Sequence, residues 1–141
     1  MSKKGFTLIE LLVVVAIIGL ISSIVLVNTR GSQSKARDAN IESMMHQVRN
    51  AAEMSYLQSE SYAQVCDEAN NTLNNAGDFG ILENAIKKEN GQKALSCYES
   101  TDKKSFAVST PLVGAAGKHW CVESAGLSIA LDQAITSFIC Q

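Results

Sequence analysis

GFTLIELLVVVAIIG, Gly5 to Gly19, opens a run of apolar and small residues that continues to Val27 and contains one ionisable side chain, Glu10. A helix over Phe6 to Val27 would be about 33 Å long at 1.5 Å per residue. That is enough to cross a hydrocarbon layer of about 30 Å. The many valines and isoleucines do not prevent it, because in lipid the backbone must satisfy its own hydrogen bonds and a helix does so. Lys3 and Lys4 precede the run with no acid beside them, which places that end on the cytoplasmic side and the bulk of the chain outside.

Glu10 decides between readings of this segment. A cleaved secretory signal needs a shorter apolar core, about 7–15 residues, followed by a small-x-small site. The sequence SSIVLVNTRG after the run provides no such match. A plain membrane anchor fits the length and flanks, yet leaves the carboxylate as an unexplained penalty, reduced near the edge where it can snorkel.

Gly5 to Gly19 resembles the N-terminal signature of type IV prepilins and the related type II secretion pseudopilins: a short basic leader ending in Gly, then Phe, then a Glu five residues after the cut. The resemblance covers about a fifth of the chain. It implies that 1–5 (MSKKG) is a leader removed by a prepilin peptidase between Gly5 and Phe6, with N-methylation of the new Phe6 amine. It also implies that 6–28 is kept as a membrane and filament-core helix, and that 29–141 is a globular domain including the second half of the long helix. Glu10 would pair with the N-terminal amine of a neighbouring subunit. An uncompensated charge in an apolar core costs several kcal/mol, so such a pair would set subunit register. Many family members carry a proline where this chain has Val27; Gly19, Ser22 and Ser23 are the remaining local soft points. Gly19 equally suits close helix packing.

Beyond Asn28 the helical signal continues in a more polar sequence. Ala36, Ile41, Met45, Val48, Ala52 and Ser55 form one stripe, flanked by Met44 and Ala51, and the expected helix runs from Phe6 to Ser59. The two methionines read as core filler, and His46 as a flank or surface residue. Tyr62 to Gly80, rich in Asn, Asp and Gly, reads as loop. It lacks the spacing of a calcium loop and contains a formal Asn70-Asn71-Thr72 glycosylation triplet. Ile81 to Lys88 reads as a short helix. ALSCYES, SFAVSTPLV, HWCVESA and LSIAL, separated by turn-forming stretches, suggest an antiparallel meander with one face on the long helix. The fold class is α+β, a long N-terminal helix spine on a small antiparallel sheet, which is also the architecture the resemblance implies. Trp120 fits a core-edge aromatic better than a carbohydrate platform.

The four cysteines, Cys66, Cys97, Cys121 and Cys140, form no C-x-x-C pair, and His46 and His119 are the only histidines. Clustered zinc ligands are absent, so no metal or other cofactor is expected. Dispersed cysteines beside an export-type N-terminus read as two disulfides, with three pairings open. Type IV pilins often close a C-terminal loop with a bridge; the resemblance therefore implies Cys121–Cys140, and Cys66–Cys97 with it.

Net charge is −2, from 12 basic and 14 acidic residues, and loss of Lys3 and Lys4 would leave 10 against 14, or −4. That balance gives no support to a broad DNA surface. The motifs of nucleophilic hydrolases, zincins and phosphate-binding loops are all missing, and no enzymatic role is expected. The resemblance implies a structural type IV pilin subunit of an extracellular filament serving adhesion, motility or DNA uptake. The alternative is a pseudopilin of a periplasmic type II secretion piston. Implied partners are other pilin subunits, minor pilins included, the prepilin peptidase, an inner-membrane platform protein, and the membrane before assembly.

Overall fold

The computed structural model describes residues 5–141, without the side chains of 25–28 and 30. The chain forms two units, Met1–Gln33 and Ser34–Gln141. Helix α1, Leu8–Ser59, contributes to both. In the first unit it begins two residues later than the apolar run, because Thr7 caps it. The large apolar side chains described between Phe6 and Ile24 are solvent-exposed. Among the described residues no helix is long and apolar enough to cross a membrane.

In the second unit, Ile41, Met45, Val48 and Ala52 are fully buried. Their spacings of four, three and four residues line one helix face. Complete burial of an Ile, Met or Val side chain contributes about 2 kcal/mol. Ala36, expected on this stripe, is exposed instead. At that turn it is Asp38 that meets the rest of the fold, through the hydrogen bonds described below.

After α1 come β1 (Cys66–Asp67), β2 (Thr72–Leu73), α2 (Gly77–Asn90), β3 (Ser96–Glu99), β4 (Phe106–Pro111), β5 (His119–Glu123) and β6 (Ser128–Leu131). The stretch read as loop, Tyr62 to Gly80, therefore contains a two-stranded antiparallel hairpin, with Cys66 opposite Leu73 and Asp67 opposite Thr72. Two-residue strands are too short to produce an alternating pattern in the sequence. Helix α2 likewise extends beyond Ile81 to Lys88 at both ends. Its first turn holds two glycines, which weigh against helix by propensity, yet Gly80 is required there. A Cβ at that position would lie 2.3 Å from the Asn75 carbonyl oxygen. The helix stops at Gly91, which takes the left-handed conformation with φ of 80° that favours glycine.

The last four strands form one antiparallel sheet in the order β3-β4-β5-β6, the meander expected from the sequence. Val108 faces Val122, Ser109 faces Cys121 and Cys121 faces Ile129. Side chains alternate across the pleat, so the sheet has two different faces. Phe106, Val108 and Val122 join the α1 stripe, Leu73, Phe79 and Ile86 in the larger core. Ala107 and Cys121 face away from it and meet Ile135 and Cys140 of the C-terminal tail. Tyr62 stacks between Tyr56, at 4.6 Å, and Phe106, at 4.8 Å, which closes one end of the core. Trp120 is half-buried and packs at the edge of the larger core, as the core-edge reading expected. Met45 lies in that core and Met44 packs against it. The architecture is α+β.

Candidate assembly site and covalent frame

In the first unit, Gly5 to Thr7 are neither helix nor strand and are exposed; Phe6 is 74% exposed. Lys3 and Lys4 lie outside the described residues. Thr7 and Glu10 hold the start of α1 reciprocally. The Thr7 backbone N–H donates to Glu10 Oε2 at 2.9 Å and the Thr7 hydroxyl to the same oxygen at 2.7 Å. The Glu10 N–H donates to Thr7 Oγ1 at 3.3 Å. This is a capping box, with Thr at the N-cap and Glu three residues on. The T-x-x-E pattern is visible in the sequence, and it gives Glu10 a partner within its own chain. Downstream, α1 continues through Gly19, beside which a Cβ would meet open space. Ser23 Oγ donates to the Leu20 carbonyl at 2.7 Å.

In the second unit the frame is covalent. Cys66 is bonded to Cys97 and Cys121 to Cys140, the pairing implied by the resemblance. The first bridge ties the β1–β2 hairpin to β3. The second ties the tail to β5, and the tail gains a further anchor where the Ile135 N–H donates to Ser109 Oγ at 3.3 Å.

Three buried or half-buried carboxylates organise the remaining loops, and the hydropathy pattern of the sequence did not single them out. Asp38 accepts hydrogen bonds from three consecutive backbone N–H groups of the β4–β5 loop. Val113 donates to Oδ1 at 2.7 Å, Gly114 to both oxygens at 3.1 and 3.0 Å, and Ala115 to Oδ2 at 3.1 Å. Successive N–H groups of a turn make an anion-binding concavity, filled here by a side chain of α1. Glycine at 114 permits the approach, since a Cβ there would lie 2.8 Å from Asp38 Oδ2. Glu99 accepts the Cys66 N–H at 2.7 Å and pairs with Lys103 at 2.9 Å. Burial raises its pKa above the ordinary carboxylate value, against the lowering effect of the Cys66 and Val65 backbone donors. Glu123 accepts the Cys140 N–H at 2.7 Å.

His119 Nδ1 and Trp120 Nε1 are buried without a hydrogen-bond partner among the described residues. Burial lowers the His119 pKa, the nearby Lys93 charge adds to this, and a hydrogen bond with the Gly117 backbone opposes it. His46 is half-buried on α1. Among the described residues no group of three or more His, Cys, Asp or Glu side chains is placed to hold a metal ion. Two shallow pockets beside α1 and α2 share Ala51 and Asp78 and measure about 390 and 300 Å³. Neither gathers nucleophile, base and oxyanion donors in the way a catalytic site requires.

The apolar helix beginning at a Thr-capped Glu, just after Gly5-Phe6, coincides with a known motif: residues 1–26 match the family model described as "Prokaryotic N-terminal methylation motif". This is the methylation motif of prokaryotic prepilins. Relatives extend the likeness. The chain is 34% identical over 61 residues to the type IV wide pilus major component PilA4 of Thermus thermophilus, covering 43% of this chain and 47% of that one. It is 37% identical over 60 residues to the type II secretion system core protein G of Escherichia coli, covering 43% and 41%. It is 27% identical over 109 residues to a fimbrial protein of Pseudomonas aeruginosa, covering 77% of this chain and 68% of that protein. The match thus spans less than half the length of the first two relatives and about two thirds of the third. No solved structure matches the chain.

Proposed function

We propose that this prepilin-type chain is a type IV pilin, a structural subunit that polymerises through its N-terminal helix into an extracellular filament. The observation that carries the reading is the Gly5-Phe6-Thr7-x-x-Glu10 start of an apolar helix within the methylation motif. A prepilin peptidase cuts between Gly5 and Phe6 and the new amine is methylated; the exposed, non-helical backbone at 5–7 supports access. Lys3 and Lys4 keep the leader in the cytoplasm, and the helix rests in the cytoplasmic membrane until a platform protein passes the subunit into the filament. The exposed apolar side chains from Phe6 to Ile24 are then covered by other pilin subunits, minor pilins among them.

Glu10 has two uses in this scheme. Before assembly its carboxylate closes the capping box with Thr7. In the filament it compensates the ammonium on Phe6 of a neighbour, which would otherwise be desolvated alone. A bridged, sheet-bound tail supports an extracellular location, where disulfides persist.

A second reading, a pseudopilin of type II secretion, is favoured by the likeness to core protein G over 60 residues. Likeness to the fimbrial proteins extends over 109 residues into the globular unit and supports the pilin instead. The deciding experiment is mass spectrometry of mechanically sheared surface material. Methylated Phe6 at the N-terminus of abundant sedimentable filaments is expected. Processed subunit confined to the cell envelope would favour the pseudopilin, and a chain never cut after Gly5 would overturn both.

A further inference from the structure

Each disulfide has a buried carboxylate beside it, and in each case the carboxylate holds the same kind of partner. In the Cys121–Cys140 bridge, Cys140 is 6% exposed and Cys121 0%; in the Cys66–Cys97 bridge, Cys66 is 5% exposed and Cys97 1%. Glu123 accepts the N–H of Cys140, and Glu99 accepts the N–H of Cys66. The carboxylates therefore sit beside the more exposed residue of each pair.

The two sites differ in surroundings. Glu99 shares its counter-ion, Lys103, with Glu68, and Asp67 follows Cys66, so the acids around that bridge outnumber the base. Glu123 is 8% exposed and has no ion-pair partner among the described residues. Its Oε2 is 2.7 Å from the Cys140 nitrogen. Three bonds separate that nitrogen from Sγ, so the charge lies within about 7 Å of the sulfur.

We infer that Glu123 is an electrostatic guard of the Cys121–Cys140 bridge, slowing its reduction by anionic thiols. In exchange, the sulfur of an external thiolate bonds to Cys140 Sγ as the Cys121–Cys140 bond breaks. Cys121 leaves with the electron pair as a thiolate. A second external thiolate then attacks the mixed disulfide, releasing the Cys140 thiolate and an oxidised external disulfide. Glu123 acts on the first step in two ways. It repels an incoming anion, and it disfavours the negative charge that spreads over the sulfurs as the bond breaks. Only the first depends on the reagent's charge, and it separates a guard from a mere structural strut. The bridge pins the tail to the sheet, so the guard keeps the tail closed where small anionic thiols are present. This holds whether the chain is a pilin or a pseudopilin.

The test uses the full-length oxidised chain in detergent, treated with excess mercaptoethanesulfonate, an anionic thiol, or cysteamine, a cationic one. Samples are quenched with an alkylating reagent and each bridge is followed by peptide mass spectrometry, with rates corrected for thiolate fraction. The two reagents share the attacking thiolate and differ by two unit charges at the tail, about 10 Å from Glu123, which changes the rate ratio about fourfold even at the dielectric constant of water. The cysteamine-to-sulfonate rate ratio at the wild-type Cys121–Cys140 bridge is therefore expected to be at least about threefold larger at low salt than in about 1 M salt. In 1 M salt charges are screened within about 3 Å. Glu123→Gln, which keeps an oxygen for the Cys140 N–H, should lower the ratio at its own bridge and leave the other unchanged. A wild-type Cys121–Cys140 ratio that does not change with salt would overturn the inference, and this measurement stands even if the variant fails to fold. Acceleration of both reagents to the same extent in Glu123→Gln would also overturn it, because a loosened tail does that without any charge effect.

Discussion

Removing the Asp38 carboxylate tests how the β4–β5 loop is held on α1. Asp38→Ala deletes an acceptor for three consecutive N–H groups, at 2.7 to 3.1 Å. A hydrogen bond to a charged group contributes about 1.5–3 kcal/mol when its donors would otherwise be stranded. Here Gly114 is exposed and Val113 and Ala115 are only half-buried, so water re-satisfies much of the loss. The expected cost is about 2 kcal/mol, which for a unit of this size is a fall in Tm of about 8 °C. Asp38→Asn keeps one oxygen and should cost about half as much. Gly114→Ala approaches the same site from the other side, bringing a Cβ to 2.8 Å from Asp38 Oδ2 and 3.1 Å from the Ser34 backbone. Part of that clash disappears when the carboxylate is gone, so the double variant should be more stable than additivity predicts, by at least about 0.5 kcal/mol. The assay is urea unfolding of the full-length chain in detergent, followed through Trp120, which lies in the strand that leaves this loop. If Asp38→Ala stays within about 0.5 kcal/mol of wild type, or if the two changes add, the loop is not held in the way the distances indicate.

Replacing both Cys121 and Cys140 by serine opens a loop with a sequence separation of 19, and the chain-entropy relation gives a loss of about 3 kcal/mol. Hydrogen exchange should then rise from Asp132 onward before the sheet unfolds, and unchanged protection there would contradict the reading. Glutamine can serve at the third position of a capping box, so Glu10→Gln should preserve amide protection at Leu8 to Leu11 while abolishing sheared filaments. Thr7→Val should do the reverse, fraying the helix start while filaments still form. Wild-type filament yield in Glu10→Gln would remove the charge pair from the assembly scheme. The Tyr62 hydroxyl, buried and donating to Glu53 Oε1 at 3.0 Å, has its pKa pushed up to about 12, first by burial and then by that bond. The raised value means that the folded state holds the proton more tightly. Its contribution to stability is complete below about pH 10, the ordinary tyrosine value, and is lost as pH rises toward 12. Ultraviolet titration should find one late-ionising tyrosine that moves down in Glu53→Gln; three tyrosines titrating together near 10 would refute the burial argument.

The sequence by itself determined the features that are local in the chain. The apolar run, the 3–4 spacing of Ile41, Met45, Val48 and Ala52, and the four alternating segments after Gly91 each repeat with the period of their own element. That is why the α+β layout was legible before any fold was seen. The T-x-x-E cap of α1 is equally local, formed by Thr7 and Glu10 alone. Tertiary structure decided what no period encodes. Ala36 lies outside the core because Asp38 meets a loop 75 residues away. Two-residue strands form because the hairpin carrying them is bridged and hydrogen-bonded to β3. Gly80 sits in a helix because the Asn75 carbonyl leaves no room for a side chain. Glu99 and Glu123 look like ordinary strand-end acids until the fold brings a cysteine N–H to each. A carboxylate's solvation and partners are set by distant segments, so its role can be read only once those segments are in place.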